Sequence, residues 1–337
     1  MGITIKEIAK LAGVSRGTVD RALKNSPNIK ASTKQAVMKI VKDYDYQPNI
    51  IGQALAFSRK QFKVAVVVNS VGNDFFIDII DGLNKGIAEY SSFGMSMELI
   101  QLKGFNVEGQ LDFLMNFDIE KYSALIISAV DDIFVQKCLA QLANDGLCIV
   151  TLNSDVDFDG KIAYVGCDYT RGGNVAGGLV KIVSDAHCGL LIATGSSNIL
   201  GHKQRVKGIL KTIATYPQIK NYGIIMCDDD EEKSYNLVVA ELEKNSEINV
   251  VCGASGGVVG AQRAADKLGR NIKIIAFDNT KKINELLASG KIVATINQQP
   301  FEQGYRAVKA VYDYCFKHIA QPKVIDIELF IKIKENL

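Results

Sequence analysis

The chain has 337 residues, 47% of them hydrophobic and 23% charged, a balance that excludes a disordered or low-complexity protein. No stretch approaches the roughly 18–20 consecutive apolar residues of a membrane span, which excludes an integral helical membrane protein. The net charge of +2 hides an asymmetry: residues 1–60 carry eleven Lys and Arg against four Asp and Glu, and residues 61–337 carry 28 against 33, so the head is predicted to bind a polyanion.

The pattern of residues 1–47 predicts a small helical domain. Thr4 and Glu7 are spaced as a capping box at the start of a first helix. Gly13 then interrupts the helix, and Ser15 can cap a second one. Two helices joined by a short glycine-containing turn are typical of a helix-turn-helix.

A third helix is expected to begin near Ser32 and Thr33. Gln35 would complete a second capping pattern there. Val37 and Ile40 would face inward, since they recur at helical spacing. The head is therefore predicted to be a three-helix domain with a small apolar core.

The first turn of the second helix is predicted to contact DNA. Arg16, Gly17 and Thr18 have no place on its apolar face, and this end of a helix-turn-helix enters the major groove. An arginine there can bind a guanine edge with two hydrogen bonds, and Arg21, one turn later, suits a phosphate. These residues alone leave open that they are exposed cations of an ordinary helical bundle, but the charge of the head favours DNA.

The stretch ITIKEIAKLAGVSRGTVDRALKNSPNIKASTKQAVMKIVKDYDYQPNIIGQALA, residues 3–56, resembles the headpiece and hinge of the LacI/GalR family of bacterial transcription regulators. The blocks AGVS, TV-R-L and Y-PN and the helix start at Thr33 carry the resemblance. Asp20 departs from it, because the family commonly has serine there, and Gly17 offers no side chain where the family usually reads a base. The resemblance implies DNA contacts at Ser15, Arg16, Gly17, Thr18, Arg21 and Asn25, with Thr4, Thr33, Tyr46 and Asn49 in supporting or phosphate-contacting positions.

Residues 48–61 are interpreted as a hinge. A helix this short is marginal in water, so we expect it to fold when a second copy and DNA are present. Leu55 falls where the family's hinge leucine wedges into the minor groove, a known way of kinking a duplex. The alternative is that Leu55 packs against the following domain.

From residue 62 onward, continuous Val and Ile runs alternate with helical segments. This pattern predicts parallel sheets covered by helices on both faces, and so many strands favour two doubly wound α/β subdomains. Strands are predicted at 64–68, 96–100, 124–128, 148–153, 162–166, 189–194, 223–227, 248–253, 273–277 and 292–296, and helices at 75–90, 106–118, 131–144, 171–185, 202–215, 231–244, 257–268 and 301–318.

Polar side chains follow the ends of six strands, where open α/β sheets bind ligands. The aromatic pair Phe75 and Phe76 can stack on the apolar face of a sugar. Carboxylate, amide and guanidinium groups can bond its hydroxyls, although each could also be an ordinary turn or cap residue. The polar candidates are Asn153, Asp155, Arg205 and Asp278.

Residues 62–330 resemble periplasmic sugar-binding proteins of the ribose-binding type, through NDFF, R-x-x-G at 205–208, AFDNT and ATINQQPFEQGYRAV. GASGG at 253–257 departs, because the family usually has an Asn-Asp pair there. The implied path gives one subdomain residues 62–166 and 298–322 and the other 167–295 and 324–337, with crossings near 166–170, 296–299 and 321–325. The implied ligand contacts are Asn73, Phe75, Phe76, Asn153, Arg205, Asp278 and Gln298.

Other classes of protein fit the sequence less well. GASGGVVG follows a strand but fails the GxGxxG spacing of a dinucleotide-binding enzyme. Seven scattered cysteines without CxxC and three unclustered histidines predict neither a metal site nor a cofactor. The basic head, and the lack of an apolar signal core in MGITIKEIAK, argue against an exported sugar carrier and for a cytoplasmic protein.

The sequence therefore predicts a non-enzymatic regulator with a helix-turn-helix headpiece and a periplasmic-binding-protein-like α/β body. It is expected to bind operator DNA as a homodimer, to act as a repressor and to respond to a small carbohydrate effector. Activation, and control by a corepressor, remain open alternatives.

Overall fold

The computed structural model describes residues 3–23, 29–46, 62–104, 106–184, 186–197 and 199–337. The head contains three helices, α1 (Ile5–Ala12), α2 (Arg16–Leu23) and α3 (Ala31–Asp43). Thr4 and Glu7 form the predicted capping box of α1, and Gly13 ends the helix in the left-handed conformation, with φ 63°. The expected helix-turn-helix is confirmed.

The head closes over a small apolar core. The first two helices bury their apolar faces against Val37 of α3. Helix α3 begins at Ala31, and Lys30 at its N-cap makes no side-chain capping bond. The predicted capping pattern with Gln35 is therefore wrong, because Ser32 and Thr33 already lie inside the helix. The buried core consists of Ile8, Ala9, Val19, Ala22 and Val37.

The body contains two six-stranded sheets, as the Val- and Ile-rich runs predict. The first has the order β11-β5-β4-β3-β1-β2 and the second β12-β10-β9-β8-β6-β7. Pairing is parallel throughout the described ladders, except between β10 and β12. The strands are β1 Phe62–Val71, β2 Met95–Lys103, β3 Ala124–Ile127, β4 Cys148–Leu152, β5 Ala163–Gly166, β6 Cys188–Thr194, β7 Ile219–Met226, β8 Ile248–Gly253, β9 Lys273–Phe277, β10 Ala294–Asn297, β11 Val324–Asp326 and β12 Phe330–Lys332.

Helices cover both faces of each sheet, the arrangement that lets a parallel sheet bury both sides. All ten predicted strands and all eight predicted body helices are present, with ends shifted by a few residues. Strands β11 and β12 and helix α11 were not predicted. The helices are α4 Phe75–Tyr90, α5 Val107–Met115, α6 Ile133–Asn144, α7 Tyr169–Val183, α8 Leu200–Ile213, α9 Glu231–Lys244, α10 Val258–Lys267, α11 Lys281–Ala288 and α12 Pro300–Phe316.

The chain crosses between the sheets three times. The first two crossings follow β5 and β10, near the predicted positions. The third does not, because β11 extends the first sheet beside β5, and the backbone N–H of Ile327 donates to the carbonyl of Gly166. The assignment of 324–337 to the second subdomain is therefore wrong for β11, and this crossing lies between Asp326 and Phe330.

Helices α7 and α8 pack closely together, and this contact fixes the position of Arg205. A Cβ atom built on Gly173 would lie 2.1 Å from the carbonyl oxygen of Arg205. Only glycine permits this approach of two helix backbones. It holds Arg205 at the edge where the strands of both sheets end.

Candidate functional site

The first turn of α2 presents polar residues to solvent. Ser15, Arg16 and Gly17 are exposed, and the hydroxyl of Ser15 accepts a hydrogen bond from the backbone of Thr18 at 3.1 Å. Arg21 folds back along the helix, donating to the Gly17 carbonyl at 3.2 Å and to the Thr18 hydroxyl at 3.3 Å. Arg16 is exposed at the helix end that enters a major groove in this motif.

Three of the four supporting positions predicted in the head, Thr4, Thr33 and Tyr46, lie within the described residues. Thr4 caps α1, and Thr33 is half-buried in the first turn of α3. Tyr46 is half-buried against the head core, where burial and then the charge of Asp20 raise its pKa. The predicted DNA contacts Asn25, Asn49 and Leu55, and most of the predicted hinge, lie outside the described residues.

Asp20, the departure on α2, contacts the body. Its Oδ1 lies 3.2 Å from Nδ1 of His318, which follows α12 and has a side chain only 7% exposed. The two groups form an ion pair when the imidazole is protonated. In this arrangement the carboxylate of the DNA-reading helix is directed at the body.

A cavity of about 220 Å³ lies where the strands of both sheets end. It is lined by loops after β1, β4, β8, β9 and β10 and by the start of α8. This is the edge at which open parallel sheets bind ligands. It brings together seven of the eight residues predicted to bind a ligand: Asn73, Phe75, Phe76, Asn153, Arg205, Asp278 and Gln298.

Asp155 is the exception, and its prediction as a ligand contact in this cavity is wrong. Its carboxylate accepts from the Thr151 hydroxyl at 2.6 Å and pairs with the Lys161 ammonium at 2.7 Å. The side chain lines a second cavity instead, together with Cys167 and Asp326. A lysine six residues downstream therefore draws the carboxylate away from the cleft.

Arg205 is the most constrained charged group of the cleft. It is 4% exposed, and its guanidinium lies 4.2 Å from the ring centre of Phe277 and 4.8 Å from that of Tyr169. It donates to the Ala254 carbonyl at 3.0 Å and to the side-chain oxygen of Gln298. Its Nε has no hydrogen-bond partner among the described residues, so this donor is available to a bound ligand.

Asp278 follows β9 in the left-handed conformation, with φ 72°. Its carboxylate accepts from the amide of Gln298, so Arg205, Gln298 and Asp278 form one hydrogen-bonded chain. Burial raises the pKa of this carboxyl, while the guanidinium of Arg205 and the Gln298 amide oppose the shift. A carboxylate held this way can accept hydrogen bonds from ligand hydroxyls.

A fully buried glutamine on α12 ties this chain of residues to the first subdomain. Gln303 accepts from the side-chain amide of Asn153 at 3.2 Å and donates to the Gln298 carbonyl at 2.8 Å. Its position inside a helix, rather than at a strand end, explains why sequence reasoning missed it.

The opposite wall contains a second group that was not predicted. Asp229, with φ 60°, accepts from the backbone of Gly256 at 2.8 Å and lies 4.0 Å from the ring of His202. Burial lowers the pKa of His202, and Asp229 opposes that shift. The run DDD, which is separated from the end of β7 by Cys227 alone, was the signal available for Asp229, since it comes after a strand like the other polar candidates.

The segment GASGG at 253–257, which departs from the family pattern, forms part of the cleft wall. Ala254 is fully buried and contributes its carbonyl to Arg205, while Ser255 and Gly256 line the cavity. Two backbone groups and one hydroxyl thus take the place of larger amide and carboxylate side chains. The departure leaves room for a ligand, but with fewer side-chain hydrogen-bond partners on this wall.

The two subdomains also meet at the mouth of the cleft. The ammonium of Lys203 on α8 lies 2.8 Å from the carboxylate of Asp131, which follows β3 in the first subdomain. Among the described residues, no group of three metal-ligating side chains occurs and no helix has the length and hydrophobicity of a membrane span.

Two parts of the chain match known protein families. Residues 4–49 match the bacterial regulatory proteins of the lacI family, and residues 64–318 match a periplasmic binding protein domain. The chain is 27% identical over 290 residues to "Probable HTH-type transcriptional repressor ExuR" of Bacillus subtilis, covering 82% of each chain. It is 22% identical over 343 residues to Catabolite control protein A of Priestia megaterium, covering 100% of this chain and 99% of that one.

The fold has solved counterparts. GanP, a glucose-galactose binding protein from Geobacillus stearothermophilus, superposes with a TM-score of 0.76 at 22% identity, over 82% of this chain and 98% of its own. A solute-binding protein from Burkholderia graminis, in complex with D-arabinose, gives a TM-score of 0.75 at 21% identity, over 82% and 96%. These likenesses confirm the predicted fold of the body.

Proposed function

Because this chain belongs to the LacI family, with the family's helix-turn-helix head and a periplasmic-binding-protein-like body, we propose that it is a sugar-responsive transcriptional repressor. The observation that carries the proposal is the polar cavity between the two sheets, built in the same chain as an exposed recognition helix. The cavity binds a ligand rather than performing a reaction, and the relatives named above are regulators and sugar-binding proteins.

The ligand we propose is a small carbohydrate. Phe75 and Phe76 line the cavity with ring centres 5.6 Å apart, and an aromatic ring suits the C–H side of a sugar. Arg205 offers its unpaired Nε, and Asp278 offers carboxylate oxygen. Hydrogen-bond donors and acceptors beside aromatic rings can hold the alternating hydroxyls of a sugar.

Control of DNA binding follows from the position of the cavity. A ligand that contacts Asn153 on one side and Arg205 on the other favours one angle between the subdomains. That angle sets the separation of the segments that lead to the two heads of a dimer. The sugar can change operator affinity only by the difference in its own affinity for the two states. We propose induction as its sign, that is, a loss of operator affinity when the sugar binds.

We propose that the protein binds its operator as a homodimer. Strand β7 is an edge strand with exposed Ile224 and Met226, which are 43% and 51% exposed, and a second copy can cover them. Two heads on a pseudo-palindromic site double the phosphate contacts and make affinity strongly dependent on salt. Because its partner is operator DNA, the protein acts in the cytoplasm.

Two measurements on the whole chain test this function. Selection from random duplexes should enrich a pseudo-palindromic site, and Arg16→Ala should weaken that enrichment. A panel of pentoses, hexoses, sugar acids and polyols should contain a compound that raises the unfolding temperature, because binding to the folded state alone stabilises it by about 2.7 kcal/mol at 100 times the Kd.

The matched variants make the second measurement specific. Arg205→Ala removes the cleft guanidinium and should abolish the thermal shift, whereas Lys207→Ala, at an exposed position of the same helix, should preserve it. Enrichment of no duplex, or a shift that survives Arg205→Ala, would contradict the proposed function.

A further inference from the structure

Two cysteines of the first subdomain meet at a place that the proposed function does not use. Cys148 is the first residue of β4, and Cys315 lies in the last turn of α12. Their sulfur atoms are 3.2 Å apart, although 167 positions separate them in the sequence. The contact joins the far end of α12 from Gln303 to the edge of the sheet opposite the cleft.

The two thiols differ in access, as an oxidation-sensitive pair requires. Cys315 is 4% exposed, whereas Cys148 is half-buried and reachable by a small oxidant. Burial raises the pKa of Cys167 to about 12, of Cys227 to about 11 and of Cys252 to about 12. The thiolate is the nucleophile toward oxidants, so these three react slowly.

We propose that Cys148 and Cys315 form a dithiol that a peroxide converts into a disulfide. The Cys148 thiolate attacks one peroxide oxygen, giving a sulfenic acid and releasing water once the leaving hydroxide takes up a proton. The Cys315 thiol then attacks the sulfenic sulfur, forming the S–S bond and releasing a second water. Two electrons and two thiol hydrogens pass to one hydrogen peroxide, which leaves as two waters.

The geometry suits the second step. The sulfurs must close from 3.2 Å to about 2 Å, which rotation of the two side chains can supply. The bridge would fasten the last turn of α12 to β4. That turn leads directly to His318, the residue that contacts Asp20 of the head, so the modified site adjoins the junction between body and head.

The test uses the reduced whole chain and hydrogen peroxide. After brief treatment, quenching with an alkylating reagent and digestion without reductant, the peptides of Cys148 and Cys315 should appear joined, lighter by two hydrogens than their sum. Dithiothreitol should separate them. Recovery of both peptides as alkylated thiols, or of Cys148 as an unbridged sulfinic or sulfonic acid, would overturn the proposal.

Variants and stability give a second, independent readout. Cys148→Ser and Cys315→Ser should each eliminate the bridge, while Cys138→Ser, at another half-buried cysteine, should leave it intact. Because the bridge closes a long loop of the unfolded chain, oxidation should raise the unfolding temperature by about 4 °C or more, reversibly. An unchanged or lower unfolding temperature of the fully bridged protein would show that the disulfide strains the native fold. That result would contradict a disulfide that forms within the native structure.

Discussion

Asn153 and Gln303 are 150 positions apart in the sequence, yet their side-chain amides share a 3.2 Å hydrogen bond beneath the cleft. Asn153 holds φ 62°, and its carbonyl accepts from the hydroxyls of Tyr164 and Tyr169. Gln303 bonds in turn to the backbone of Gln298, whose side chain contacts Arg205. One buried amide thus connects the ligand-facing residues of both subdomains through the second crossing segment.

Replacing Gln303 by methionine should separate these residues without changing the volume greatly. The variant leaves the Asn153 amide and the Gln298 carbonyl short of a partner, which should lower the free energy of unfolding by about 1–3 kcal/mol. Chemical denaturation measures this loss. Gln141→Met, at an exposed glutamine whose side chain bonds to Asp145, is the matched control and should cost far less. Equal losses in both variants would contradict the role of Gln303.

The contact between α7 and α8 predicts opposite effects for two glycines of one helix. Gly173→Ala places a methyl group 2.1 Å from the Arg205 carbonyl and should destabilise the body by about 1–3 kcal/mol. Gly178→Ala meets no atom of the described residues within 4 Å and should stabilise it by about 0.5–1 kcal/mol. Thermal unfolding of both variants checks the pair, and a stabilised Gly173→Ala would refute the close packing that positions Arg205.

Asp278 should make stability depend on pH. Burial raises its pKa above the ordinary value of 3.8. A carboxyl with a raised folded-state pKa stabilises the fold below the unfolded pKa, and that contribution is lost as pH rises through the folded pKa. Asp278→Asn lacks this loss, so its free energy of unfolding should increase relative to the unmodified chain as pH rises above about 4, the ordinary pKa of the carboxyl.

Urea unfolding at a series of pH values measures this difference. The exposed Asp159→Asn controls for the removal of one negative charge. Asp278→Asn should also lose sugar binding, since an amide cannot replace both carboxylate acceptors. A relative stability of Asp278→Asn that falls as pH rises would contradict the buried position of the carboxyl.

Arg16 should determine base preference rather than folding. Arg16→Ala should weaken binding to the selected duplex by about 1–3 kcal/mol and reduce discrimination against single-base changes. Lys10→Ala removes the same charge from an exposed position of α1 and should lower affinity evenly across sequences. Competition binding at fixed salt distinguishes the two, and the thermal stability of both variants should remain near that of the unmodified chain.

Most of the strands could be predicted from sequence because Val, Ile and Leu are concentrated in them, as in the runs at 64–68 and 124–127. Strands β11 and β12 could not, since each spans three residues and borrows its pairing partner from a distant segment. The sequence contained one signal for the start of helix α11, the threonine at position 280. In the structure Thr280 is the N-cap, and its side chain accepts a hydrogen bond from the backbone N–H of Ile283 at 3.5 Å. Its eight residues lie between the strands β9 and β10, and no helix was predicted there.

The site was predictable wherever a polar residue directly follows a strand. Asn153, Asp278 and Gln298 obey that rule and line the cavity. Asp155 fails because the rule places a residue near the edge but does not orient it, and Lys161 supplies a competing partner. The rule does not apply to Gln303, because this residue lies inside a helix. Only the packing of α12 across the crossing segments brings it under the cleft.

The most direct test of the account is the operator affinity of the whole chain with and without the sugar that stabilises it. Fluorescence anisotropy on the selected duplex, at one salt concentration, should show the sugar changing the operator Kd by roughly 5- to 150-fold, the usual range of coupling between two sites. Arg205→Ala should still bind the duplex but lose this response, while Lys207→Ala keeps it. An operator Kd that the sugar leaves unchanged, or a response that persists in Arg205→Ala, would contradict a sugar-controlled repressor acting through this cleft.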